Sequence, residues 1–86
     1  MDIQNAVRQF IVKHFYVANP GSLSDEVSLL ENGIIDSTGV LEVITFIEGT
    51  FGVAVEDDEM LPDNLDSIAR IVALVMRKQA ASQIAS

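Results

Sequence analysis

The side chains able to do chemistry are few, and most stand alone. His14 is the one histidine of the 86-residue chain, and there is no cysteine. Thiolate nucleophiles, thiolate zinc sites and disulfides are therefore excluded, and a lone imidazole on a helix face reads as structural. Glu56, Asp57, Asp58 and Glu59 bring four carboxylates together. They lack the alternating spacing and terminal bidentate glutamate of a calcium loop, so a solvated acidic turn is expected there and no specific metal site. No Gly-x-x-x-x-Gly-Lys phosphate loop, Gly-x-Ser-x-Gly elbow or His-Glu-x-x-His pair is present, and the chain is not expected to be an enzyme. Ser37 is different. It directly follows Asp36 after a long connection and opens a segment with an apolar stripe. A hydroxyl at a helix N-terminus is exposed at the positive end of the dipole, where a phosphate is stabilised. It has no base of its own, so another protein must activate it, which points to a modified serine rather than a catalytic one. Serine is also a favoured N-cap, so a purely capping role stands beside that reading.

The elements that must position Ser37 follow from periodicity. Ile3, Val7, Phe10, Ile11 and His14 recur at helical spacing and predict an amphipathic helix over 2–16, with Asp2 at its start. Asn19-Pro20-Gly21 stops it. Residues 20–36 form a long connection, packed on its own Leu23, Val27, Leu29 and Leu30. A second helix begins at Asp36-Ser37 and buries Val40, Val43, Ile44, Ile47 and Phe51, with Glu42 and Glu48 outside the stripe and Gly52 as its stop. Residues 56–61 predict one short helical turn ended by Pro62. The last helix, capped by Asp63 or Asn64, buries Leu65, Ile68, Ile71, Val72 and Val75 and ends on Arg77 and Lys78. Val53-Ala54-Val55 is too short to found a sheet. The expected fold is all-α: a small bundle of three longer helices and one short one, with a long loop between the first and second. The whole of 1–86 is expected to be a single domain, with about 79–86 a flexible tail.

Composition and charge agree with that. Hydrophobic residues are 49% of the chain and charged residues 21%, a globular balance. A chain of this length buries on the order of 60% of its unfolded surface, enough for one modest core and too little for a deep cleft. The net charge is −8, unevenly spread: no Lys or Arg lies between His14 and Ala69, while all but one of the acids do. Such a field repels nucleic acid and anionic lipid and attracts basic protein surfaces or divalent cations. The longest apolar run, Ile71-Val72-Ala73-Leu74-Val75-Met76, is far short of a membrane span. The start, Met1-Asp2-Ile3, has no basic n-region or apolar h-region of a signal peptide. A soluble, cytoplasmic, monomeric protein is expected.

Leu30-Glu31-Asn32-Gly33-Ile34-Ile35-Asp36-Ser37, followed by the helix over 40–51 and by Asn64-Leu65-Asp66-Ser67-Ile68, resembles the acyl carrier protein superfamily over nearly the whole chain. In that family a small acidic four-helix bundle carries 4′-phosphopantetheine on the serine of an Asp-Ser motif. The resemblance implies that Ser37 is the attachment site, that Asp36 assists metal-dependent transfer, and that Glu42 and Glu48 belong to a partner-recognition face. It implies a phosphopantetheinyl transferase and an adenylating acyl or aminoacyl ligase, or an acyltransferase, as partners. Thr38 and Gly39 stand where fatty-acid-synthesis carriers have Leu and then Asp. The segment Gly33-Ile34-Ile35-Asp36-Ser37 is more similar to D-alanyl and free-standing aminoacyl or peptidyl carriers. The expected function is a carrier of thioester-linked acyl or aminoacyl groups; the alternative is an unmodified acidic helical interaction domain in which Ser37 is only a cap.

Overall fold

The computed structural model describes residues 2–15, 17, 21 and 23–85, without the side chains of 62, 63 and 81–85. The chain is all-helical there, with no strand among the described residues. Helix α1 spans Ile3–His14, α2 Ser37–Phe51, α3 the single turn Pro62–Leu65 and α4 Ile68–Ala85, with a 3₁₀ turn at Asp57–Glu59 between α2 and α3. Helix α4 is the hub, against which α1, α2 and α3 all pack.

Apolar spacing decides the core. Val7 and Ile11 of α1, Val43, Ile44 and Ile47 of α2, and Ile68, Ile71, Leu74 and Val75 of α4 are buried together with Leu65. Asp2 caps α1 by accepting the Asn5 N–H at 3.1 Å. The helix ends at His14, two residues before the expected limit. Phe15 takes extended backbone, donates its N–H to Ile11 O, and turns its ring toward the start of α2. The expected stop at Asn19-Pro20 lies outside the described residues, as does Tyr16. Gly52 ends α2 at φ 68°, the left-handed conformation that glycine adopts without Cβ strain.

Further boundaries differ from the sequence reading in the second half of the chain. Pro62 begins α3 rather than ending a turn at 56–61, because the first helical residue needs no N–H donor and proline's φ already suits it. The acidic stretch forms the 3₁₀ turn instead, closed by Glu56 N–H donating to Glu59 Oε1 at 2.9 Å. Helix α4 starts at Ile68, not after Asp63 or Asn64, and the buried Ser67 caps it by accepting the Arg70 N–H on its Oγ at 3.1 Å. The side chain of Asp63 lies outside the described residues. Asp66 sits between α3 and α4, where its carboxylate holds the long connection. The backbone is helical through 79–85, the stretch the sequence assigned to a flexible tail.

The connection before Ser37 is fastened at several points. Leu23, Leu29 and Ile35 are buried in the core, with Val27 and Leu30 packed against it. Arg8 donates to Leu23 O at 2.6 Å and pairs with Asp25. Leu29 N–H donates to Asp66 O at 2.6 Å, and Ala69 N–H to Asp25 O at 2.9 Å.

Candidate functional site

The site is the start of α2. Asp36 is the N-cap: its Oδ1 accepts the Gly39 N–H at 2.7 Å, and its carbonyl accepts the Val40 N–H at 3.0 Å. The capping role therefore falls to Asp36 and not to Ser37, which corrects the alternative in which Ser37 is only a cap. Ser37 is the first helical residue, exposed to solvent, and no described residue hydrogen-bonds its Oγ. The N–H groups of Ser37 and Thr38, in the first turn, have no intrahelical acceptor. That turn also carries no acid.

Gly39 entered the sequence reading only as a departure from the fatty-acid-synthesis carrier motif, yet it shapes the start of α2. It is buried, and a Cβ there would come within 3.0 Å of the Phe15 ring and 3.2 Å of Ile35 Cβ. The missing side chain lets Phe15 pack directly beneath the Asp36 cap. Nothing in the sequence signals this, because Phe15 and Gly39 meet only in the fold.

The two glutamates differ in setting. Glu42 is exposed, and its Oε2 lies 2.8 Å from His14 Nε2, bridging α2 to α1. Glu48, near the far end of α2, is half-buried and accepts the Val55 N–H on Oε2 at 2.9 Å. Glu42 lies five residues into α2 from Ser37 and faces α1, while Glu48 is tied to the loop after the far end of the helix. His14 also stacks on Phe10, with ring centroids 4.9 Å apart. Of the four acids at 56–59, Glu59 pairs with Lys78 Nζ at 2.7 Å. That bond lowers its pKa, and the Glu56 backbone bond adds to the effect. No group of three or more His, Cys, Asp or Glu among the described residues is placed to hold a metal ion, and no helix there is long and apolar enough to cross a membrane.

Comparison with known proteins bears on the family rather than on single residues. No family model matches the chain. A D-alanyl carrier protein of Abiotrophia defectiva is 30% identical over 56 residues, which are 65% of this chain and 71% of that protein. Among solved structures, that of apo KstB-PCP, a peptidyl carrier protein, is 36% identical and superposes with a TM-score of 0.72 over 92% of this chain and 90% of its own. A chain in the crystal structure of an FAD-dependent dehydrogenase is 26% identical, with a TM-score of 0.70 over 80% of this chain and 97% of its own. The chain belongs to the acyl carrier protein superfamily, on its D-alanyl and peptidyl carrier side, and is a protein substrate of other enzymes rather than a catalyst.

Proposed function

We propose that the protein carries an acyl or aminoacyl group as a thioester on 4′-phosphopantetheine joined to Ser37, and delivers it to partner enzymes. The observation that carries this reading is the uncommitted Ser37 hydroxyl, exposed on the first turn of α2 while Asp36 does the capping. The residues present fit the group. A phosphodiester on Ser37 Oγ meets the positive end of the α2 dipole and the open N–H groups of its first turn. The prosthetic group supplies the thiol that a chain without cysteine lacks.

The chain's own residues hold, orient and display the serine. Asp36 fixes the first turn of α2 through Gly39 and assists the metal-dependent transfer to Ser37. Glu42 and Glu48 supply negative charge to the face a partner approaches, Glu42 in the first half of α2 and Glu48 near its far end. With α3 as the short fourth helix, the fold is a four-helix bundle forming one domain over 1–86. The partners are a phosphopantetheinyl transferase and an adenylating acyl or aminoacyl ligase, or an acyltransferase, and the carrier works as a cytoplasmic monomer.

Intact-mass measurement after incubation with coenzyme A, magnesium and a broad-specificity phosphopantetheinyl transferase tests the reading. One phosphopantetheine is expected on the wild type and none on Ser37→Ala, with helical circular dichroism retained in both. A wild-type chain that gains no mass, or a Ser37→Ala chain that does, refutes it.

A further inference from the structure

Helices α1 and α2 each pack on α4, and side chains bridge them to one another. The Phe10 and Phe46 rings stack with centroids 4.1 Å apart and planes 11° from parallel. Phe10 also stacks with His14, whose Nε2 reaches Glu42. Along this seam runs a crevice of about 420 Å³, lined by Phe10, His14, Thr38, Leu41, Glu42 and Phe46 among others. Thr38 adjoins Ser37. Leu41 lies one turn beyond Ser37 on the same side of the helix, and it is 58% exposed. Its side chain adds open apolar surface to the crevice within reach of a group carried on Ser37.

We propose that this crevice seats the aminoacyl group carried on Ser37. An apolar or aromatic amino acid would lie against Phe10, Leu41 and Phe46, with its protonated amine held by Glu42. The inference rests on the carrier reading above and adds where the cargo lies and what selects it. The size fits: ligand pockets run from about 300 to 1,000 Å³, and this crevice suits one amino acid. The reach fits as well. A phosphopantetheine arm of about 14 bonds extends roughly 17 Å at ordinary bond lengths. The crevice from Thr38 to Phe46 covers about 12 Å of helix, so the arm can fold back along it with slack. Charge supplies the selectivity. Glu42 uses Oε2 for His14, while Oε1 has no partner among the described residues and no Lys or Arg lines the crevice. A charge-assisted bond from an ammonium to Oε1 is stronger than a neutral one, and a cargo without the amine forgoes it.

The test attaches defined cargo to the intact chain. Coenzyme A bearing phenylalanine through a stable amide, or 3-phenylpropionate as the same group without the amine, is transferred to the apo protein by a phosphopantetheinyl transferase. Intact mass verifies attachment, and ¹H–¹⁵N spectra are compared with those of the protein carrying the bare arm. For phenylalanine, amide shifts should move at Phe10, His14, Thr38, Leu41, Glu42 and Phe46. They should shrink severalfold with 3-phenylpropionate, and again when phenylalanine is attached to Glu42→Gln, whose own spectrum reports that it is folded. Shifts located elsewhere, no shifts, equal responses to the two cargoes or an unchanged response in Glu42→Gln would each overturn the proposal. Failure to gain mass would instead overturn the carrier reading, and this inference with it, before any spectrum is recorded.

Discussion

The Ser28 hydroxyl lies 2.9 and 2.8 Å from the two carboxylate oxygens of Asp66, and this bond clamps the long connection to the start of α4. The same carboxylate accepts the Leu30 N–H at 3.0 Å. The connection leads directly to Asp36 and Ser37, so the clamp fixes the serine from 29 residues further along the chain. Asp66→Ala leaves the Ser28 hydroxyl and the Leu30 N–H without their acceptor in a part-buried setting. A loss of about 1–3 kcal/mol is expected, and each kcal/mol lowers the Tm of a domain this size by about 4–8 °C. Thermal melts of Asp66→Ala and Ser28→Ala check it: the first should fall further than the second, since Leu30 keeps its acceptor when only Ser28 is changed. Equal melts with wild type would show that the clamp carries no stability.

Local spacing made much of this legible beforehand. Val7, Ile11, Val43, Ile44, Ile47, Leu65, Ile68, Ile71 and Val75 recur at helical period, and all are buried. Asp36-Ser37 marked the candidate site because residue types and position coincided at a helix start. Which of the two caps the helix was not legible, since both are favoured caps; the Asp36 bond to Gly39 decides it. Pro62 was ambiguous because proline both stops a helix and begins one. The contacts of Asp66 with Ser28, Glu48 with Val55 and Phe15 with Gly39 had no sequence signal. Each depends on a meeting that only the folded chain creates.

Gly39 and Gly49 lie in the same helix and should respond to alanine with opposite sign. At Gly39 the new Cβ would crowd the Phe15 ring, Ile35 and the Asp36 carboxylate, and overpacking of this kind costs about 1–3 kcal/mol. At Gly49 nothing lies within 4 Å, so alanine gains only helix propensity, about 0.8–1.0 kcal/mol. Gly49→Ala should raise Tm. Gly39→Ala should lower it and slow modification of Ser37 as the cap shifts, measured by mass against time. A Gly39→Ala protein as stable as Gly49→Ala would mean that Phe15 moves aside without cost.

The Glu59–Lys78 pair sets a pH dependence with a definite sign. The hydrogen bond from Lys78 holds the Glu59 carboxyl below the usual glutamate range. The folded state therefore gives up this proton more readily than the unfolded state. Its contribution to stability is complete above the ordinary glutamate range and is lost as pH falls toward the lowered folded value. Replacing Lys78 with Met removes the main cause of the shift. Denaturant melts between pH 6 and pH 3 should show a shallower acid-side loss in Lys78→Met than in wild type. Parallel curves would show that the pair does not contribute to acid sensitivity.

The proposed steering role of α2 can be separated from loop support because Glu42 and Glu48 are held differently. On an ideal helix they stand about 9 Å apart along the axis and about 120° apart around it. Glu42 makes only an exposed pair with His14, worth at most about 1 kcal/mol, so Glu42→Lys should leave Tm nearly unchanged. Glu48 accepts the Val55 N–H, and a lysine there places a cation against that donor. Glu48→Lys should therefore destabilise the fold by about 1–3 kcal/mol. Glu48→Gln keeps an acceptor and removes only the charge, and so is the clean probe of that position. If a transferase presents Lys or Arg to this face, charge will act mainly on association. Glu42→Lys and Glu48→Gln should both slow modification of Ser37 at low ionic strength, Glu42→Lys more strongly because it reverses a charge rather than removing one. The deficit should shrink as salt screens the approach. Modification at the wild-type rate across ionic strengths in both variants would place the docking surface elsewhere on the carrier.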